Sequence, residues 1–208
     1  MVKAVFFDYD GVLTRDKTGS LTMSRFLSEQ TGIAHDSVRR ALQRHNRELN
    51  EGESSYTKVW PALCAELERD LPLDLLISAF ESTPINEEML RLARELKDRY
   101  SVGIITDNKK DRIDYLKQYQ RLPEVFDPIV VSAEVRCTKT SPTIFERALS
   151  CSGVRPEDSV FIDNTRSNLI APAALGMKTI YFDDEKNDVA GLARFLSVEY
   201  GITSRGVG

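Results

Sequence analysis

The stretch VKAVFFDYDGVLT, residues 2–14, organises the reading of the whole chain. Val2 to Asp8 is a short apolar run that ends in charge. That is the pattern of a strand buried on both faces of a parallel sheet, with Asp8 delivered to its C-terminal edge. Asp10-Gly11 then marks a turn. Two carboxylates two residues apart at a strand end can face one site, and a hard divalent cation such as Mg²⁺ would keep both near each other.

Beyond this stretch the texture changes. From about Thr14 to Pro84 helical periodicity dominates and strand signals disappear. Tyr56, Val59, Trp60, Leu63, Cys64 and Leu67 recur at the spacing of one helix face. A second helix is expected from Asp36 to Leu49, with Asp36 as its N-cap. After Pro84 helices and strands alternate. Helices are expected over Glu87–Tyr100, Lys109–Tyr119 and Pro142–Ser150, from the end of the fourth strand to about Leu175, and over Val189–Tyr200. Strands fall at Val102–Thr106, Pro128–Ser132, Ser159–Asp163 and Lys178–Phe182, and Gly201–Gly208 reads as a loose tail. Strands separated by single helices imply right-handed crossovers and a parallel sheet covered on both faces.

Composition narrows the function classes. The 208 residues carry 28 Lys+Arg against 32 Asp+Glu, a net charge of −4, with 41% hydrophobic and 29% charged residues. That is a globular composition, and its mildly acidic balance supplies no basic field for nonspecific binding to nucleic acid or a membrane surface. The apolar run Ala4–Phe7 is too short for a signal-peptide core, and no run approaches a membrane span. Cys64, Cys137 and Cys151 lack C-x-x-C spacing, and there are two histidines. Reduced thiols in the cytoplasm are expected, not a disulfide framework or zinc site.

In doubly wound sheets ligands bind outside the carboxyl ends of the strands. The polar residues there are Asp8, Asp10, Thr106, Asp107, Asp163 and Asn164, with Lys139 in the loop after the third strand. Neither common glycine-rich nucleotide loop occurs. One carboxylate of the D-x-D pair can attack phosphorus and form an acyl phosphate. The second can protonate the leaving oxygen and later deprotonate water. A metal, a hydroxyl and a lysine ammonium can balance the phosphoryl charge, and Thr106, Lys139 and Asp163 provide those chemical types.

These four strand-end motifs resemble those of the haloacid dehalogenase-like hydrolase superfamily. They are Asp8-Tyr9-Asp10-Gly11-Val12, Thr106 closing VGIIT, Lys139 ahead of S-P-T-I-F, and Asp163-Asn164 closing SVFID ahead of Asn168 and A-L-G-M. The resemblance covers essentially the whole chain. It implies an α/β fold with a Rossmann-like parallel-sheet core over residues 1–14 and 85–208, and a small helical cap over 15–84 inserted after the first strand. It also implies a Mg²⁺-dependent phosphatase of small, sugar-phosphate-like metabolites, with an aspartyl-phosphate intermediate. Asp8 would be the nucleophile and Asp10 the general acid/base that also offers its main-chain carbonyl to Mg²⁺. Thr106, with Asp107 beside it, would bind the phosphoryl group, and Lys139 would neutralise nucleophile and phosphate. Asp8, Asp10, Asp163 and Asn164 would form the metal shell. Two departures stand out: Asn164 replaces a second acidic residue, which weakens metal affinity, and K-T-S-P replaces K-P-D-P. The alternatives are a phosphomutase of the same superfamily, or a member with weakened turnover that binds metabolites. The expected partner is a small phosphorylated substrate, with no nucleic acid and no membrane, and the chain acts as a monomer or homodimer.

Several residues have plainer readings. Asp107 reads equally as a helix cap or a substrate contact, and Asn164 and Thr165 could cap the next helix. The Tyr56–Leu67 stripe reads as core of the cap. His35, His45, Lys109 and Lys110 read as solvated, and Cys64 and Cys151 as small buried residues.

Overall fold

The computed structural model describes residues 1–203; the expected tail lies outside the described residues from position 204 onward. The central strand, β1 (Ala4–Phe7), is buried at every position. Ala4 and Phe6 pack with Phe145 and Phe161 on one face of the sheet, while Val5 and Phe7 face Ile104, Ile162 and Phe126 on the other. This explains why the run is apolar throughout rather than alternating.

A tight loop over Tyr9–Leu13 follows β1, then five helices: α1 (Gly19–Thr31), α2 (His35–Arg44), α3 (Asn46–Asn50), α4 (Tyr56–Glu66) and α5 (Leu73–Glu81). The chain then alternates through α6 (Glu87–Lys97), β2 (Ser101–Thr106), α7 (Lys110–Tyr119), β3 (Ile129–Val131), α8 (Ser132–Val135) and α9 (Thr143–Ser152). It closes with β4 (Ser159–Asp163), α10 (Ile170–Ala174), β5 (Lys178–Tyr181) and α11 (Val189–Tyr200). The sheet is wholly parallel in the order β3-β2-β1-β4-β5. From β1 the winding runs through β2 to β3, then returns to the other side of β1 for β4 and β5. That reversal opens a crevice at the carboxyl ends of β1 and β4. Phe7 aligns with Ile104 and with Ile162, so Asp8, Thr106 and Asp163 leave the sheet at nearly one height.

The helical stretch enters and leaves the sheet through adjacent segments. Thr14 bridges Ile85 in antiparallel fashion, Arg15 N donates to Pro84 O at 2.8 Å, and Asn86 N donates to Leu13 O at 2.9 Å. Tyr56, Val59, Trp60, Leu63 and Cys64 are buried as one face of α4, in a core continuous with the sheet, and the Trp60 indole donates to Leu71 O at 2.9 Å. That stripe is packing.

Three local expectations are corrected. The single helix over Asp36–Leu49 is two, α2 and α3, broken at His45. Asp36 lies in the first turn of α2 rather than capping it, and pairs with Arg39 at 3.4 Å. After β4 the chain makes a tight 3₁₀ turn over Arg166–Leu169 before α10, because Pro172 lacks the amide hydrogen that would extend an α-helix back to Asn168. Cys151 is exposed, not buried, while Cys64 is buried as expected.

Candidate active site

A cavity of about 440 Å³ lies over the carboxyl ends of the strands, bounded below by Asp8, Thr106, Lys139 and Asn164 and above by α1, α2 and α3. That is room for a small metabolite. Asp8 and Lys139 are both buried, and their side chains meet at 2.8 Å through Asp8 Oδ1. Tyr9 N also donates to Oδ1, at 2.7 Å, while Oδ2 accepts no hydrogen bond from the described residues. One oxygen is thus fixed in place and the other is left for chemistry.

Lys139 reaches a second carboxylate, Asp163 Oδ2, at 2.6 Å. Burial alone would lower its pKa, but Asp8, Asp163 and Asp107 outweigh burial and hold the ammonium above the ordinary lysine range. Burial pushes the Asp8 carboxyl well up, against the pull of Lys139, and the charges of Asp163 and Asp10 add to the rise. Asp107 lines the cavity and anchors the loop that carries Lys139, accepting from Lys139 N at 2.8 Å. It is therefore not the cap of α7.

The structure places Asp163 differently from its neighbours. It is fully buried, with Oδ1 accepting from Thr165 N at 2.7 Å and both oxygens accepting from the Asn168 amide. Asp163 orients Lys139 and the loop after β4. Asp10 is equally committed: Arg112 grips it with two guanidinium nitrogens at 2.9 and 3.0 Å, and the Asn108 amide donates to it at 2.7 Å. Arg112 is completely buried, reaches Thr83 Oγ1 at 3.1 Å, and lies 5.7 Å from the centre of the Tyr9 ring. A side chain at Gly19, where α1 begins, would collide with its guanidinium at 2.4 Å. Arg112 thus joins the loop after β1 to both ends of the helical stretch. Neither Arg112 nor Asn108 stands out in the sequence, because a lone arginine in an amphipathic helix reads as a surface charge.

The expected metal shell is Asp8, Asp10, Asp163 and Asn164, in which Asp10 offers a main-chain carbonyl and Asn164 an amide. Among the described residues no group of three or more Asp, Glu, His or Cys side chains is arranged to hold a metal. The carboxylates of Asp10 and Asp163 are taken by Arg112 and Lys139. Asp8 and Asn164 also line the cavity, and Asp8 Oδ2 is not engaged by these two cations. Asn164 is buried, and its amide nitrogen has no partner. It lies against Gly11, whose φ of +81° suits glycine and whose missing Cβ would sit 2.1 Å from that nitrogen. A half-turn of the carboxamide would put an oxygen in that place. Turned that way, the Asn164 oxygen and the Asp8 carboxylate line one cavity, and such oxygen donors fit a hard cation such as Mg²⁺.

Lys109 corrects a further expectation. Lys110 is exposed and pairs with Asp114, but Lys109 is 6% exposed and lines the cavity. Burial, reinforced by the Arg112 cation, lowers its pKa to about 8. His35 contacts Ser24 and His45 contacts Glu48, and neither bounds the cavity.

A reversing parallel sheet with an aspartate-lysine pair at its switch point and helices overhead defines a class of α/β hydrolases. The sequence profile of that class, haloacid dehalogenase-like hydrolase, matches residues 2–176. The chain belongs to this family. It is 25% identical over 221 residues to bifunctional epoxide hydrolase 2 of Rattus norvegicus, a match covering 96% of this chain and 40% of the relative. It is also 31% identical over 97 residues to glyceraldehyde 3-phosphate phosphatase of Pyrococcus furiosus, covering 44% of this chain and 38% of the relative. The chain thus spans well under half the length of these two relatives. Among solved structures, a HAD-like family hydrolase from Porphyromonas gingivalis superposes with a TM-score of 0.74 at 21% identity, covering 94% of this chain and 98% of that one. A HAD family enzyme from Bacteroides thetaiotaomicron, solved with magnesium and inorganic phosphate, gives 0.70 at 18% identity, covering 87% and 94%. Among the described residues no helix is long and apolar enough to cross a membrane.

Proposed function

We propose that this hydrolase is a phosphatase of small phosphorylated metabolites, with Asp8 as nucleophile. The observation that carries the reading is the Asp8–Lys139 pair: a buried carboxylate with Oδ1 bound to an ammonium at 2.8 Å and Oδ2 unbonded among the described residues, at the floor of a metabolite-sized cavity. Oδ2 attacks phosphorus, an acyl phosphate forms, and the alcohol leaves with a proton. Lys139 balances the negative charge of Asp8 and of the incoming phosphoryl group, and Thr106 offers it a hydroxyl. Water then attacks the acyl phosphate, releasing phosphate and restoring Asp8.

Asp10 supplies the proton and later accepts one from the water. Arg112 engages both oxygens of Asp10, so donation requires the carboxyl to turn from the guanidinium toward the cavity it already lines. Arg112 also touches Gly19 and Thr83, which couples that turn to the helical stretch, read here as a cap over residues 15–84. The presence of Asp10 supports phosphoryl rather than halide chemistry, and the name of the Pyrococcus relative points the same way. Asp8 Oδ2, the Asp10 carbonyl and Asn164 would hold Mg²⁺, which when bound supplies positive charge to the phosphoryl oxygens.

The test is phosphate release from a panel of phosphorylated metabolites, with and without Mg²⁺, by the natural chain and by Asp8→Asn. Turnover should fall at least a thousandfold in the variant, on the order of the loss of a catalytic nucleophile. Asp8→Asn retaining a tenth of the activity would remove Asp8 from the nucleophile role.

A further inference from the structure

One buried cation of the cavity lining is left unpaired among the described residues. Lys139 is flanked by two carboxylates, whereas among the described residues the Lys109 ammonium has neither a carboxylate within 4 Å nor a hydrogen-bond partner. Yet Lys109 is as buried as Asp8, sits at the N-cap position of α7 three residues beyond Thr106, and lines the same cavity. Burying an ammonium without a partner costs free energy. A solvated alternative was open to the chain, since the next residue, Lys110, takes it. A buried, unpartnered cation reachable from a ligand cavity is the arrangement of a group whose partner arrives with the ligand.

Resting on the phosphatase reading, we propose that Lys109 binds a second anionic group of the substrate, a carboxylate, beyond the phosphate held at Asp8, Thr106 and Lys139. One ammonium balances one negative charge. A second phosphate would bring two, into a place where Asp10, Asp107 and Asp111 already act on Lys109. On the cap side of the cavity, Gln43, Asn46 and Asn50 offer neutral amides that suit hydroxyls of the same ligand. The substrate class is therefore a short phosphorylated hydroxy acid rather than a neutral sugar phosphate.

The test compares 3-phosphoglycerate with glycerol 3-phosphate, which differ by a carboxylate in place of a hydroxymethyl group. The natural chain, with Mg²⁺, should favour the acid in kcat/KM by about tenfold or more. Lys109→Met should reduce that ratio by about tenfold to a hundredfold, the worth of a charge-assisted hydrogen bond. Lys109→Gln, polar but uncharged, should reduce it equally. An unchanged ratio, equal losses on both esters, or a preference of the natural chain for glycerol 3-phosphate would overturn the proposal. Absence of turnover on both esters would instead count against the phosphatase reading. Lys109 is then judged by calorimetry on Asp8→Asn protein. Tighter binding of 3-phosphoglycerate than of glycerol 3-phosphate, abolished by adding Lys109→Met, supports the subsite, and equal affinities refute it.

Discussion

Replacing Lys109 by methionine should make the ligand-free protein more stable, not less. The groups that act on the Lys109 ammonium are Asp10, Asp107, Asp111 and Arg112, and burial with the Arg112 cation dominates, bringing its pKa from an ordinary 10.5 to about 8. At about 1.4 kcal/mol per pH unit, that fall corresponds to a destabilisation on the order of 3 kcal/mol when the lysine is charged in both folded and unfolded chains. The folded value lies below the unfolded one, so between pH 8 and 10.5 the unfolded chain binds more protons, and stability rises with pH through that window. Below pH 8 the whole cost is present. Methionine has similar reach and carries no charge, so at pH 7 Lys109→Met should raise the urea midpoint by about 1 M or more, given slopes of about 1–3 kcal/mol per molar urea. The advantage over the natural chain should shrink as pH climbs from 8 toward 10. Equilibrium urea unfolding followed by circular dichroism at both pH values measures this. A variant less stable than the natural chain at pH 7 would mean that Lys109 has a structural partner, and would remove the reason for assigning it a ligand.

Two further outcomes follow from the same geometry. Arg112→Lys retains the charge but loses the two-pronged grip on Asp10 and the bond to Thr83; breaking a buried pair of this kind costs about 3 kcal/mol or more, a loss on the order of 10 °C in melting temperature for a chain of this size. Calorimetric melting that moves by less than 2 °C would contradict the buried fork. Asn164→Asp adds a charged oxygen donor at the cavity floor without changing side-chain volume, and should lower the Mg²⁺ concentration for half-maximal activity by about tenfold. An unchanged metal titration would place the cation elsewhere.

Much of the fold could be read from the sequence because parallel strands buried on both faces have an unmistakable texture. Ser159–Asp163 and Val189–Tyr200 are found with the expected bounds, since an apolar five-residue run and a long capped helix leave little choice. The break at His45 and the 3₁₀ turn after β4 escaped because they depend on local backbone geometry that hydrophobic periodicity does not encode.

The sequence by itself determined the chemical inventory at the strand ends. Asp8, Asp10, Thr106, Asp107, Lys139, Asp163 and Asn164 are ordered along the chain so that any doubly wound parallel sheet brings them to one edge. Only the tertiary structure decided how those groups divide their bonds. A carboxylate has few acceptor sites, and its partners come from residues distant in sequence: Arg112 takes Asp10 across 102 positions, while Lys139 joins Asp8 and Asp163 from a separate loop. Burial is likewise a property of the assembled molecule. Lys109 and Lys110 are chemically identical neighbours, and the start of α7 turns one into the cavity and the other to solvent.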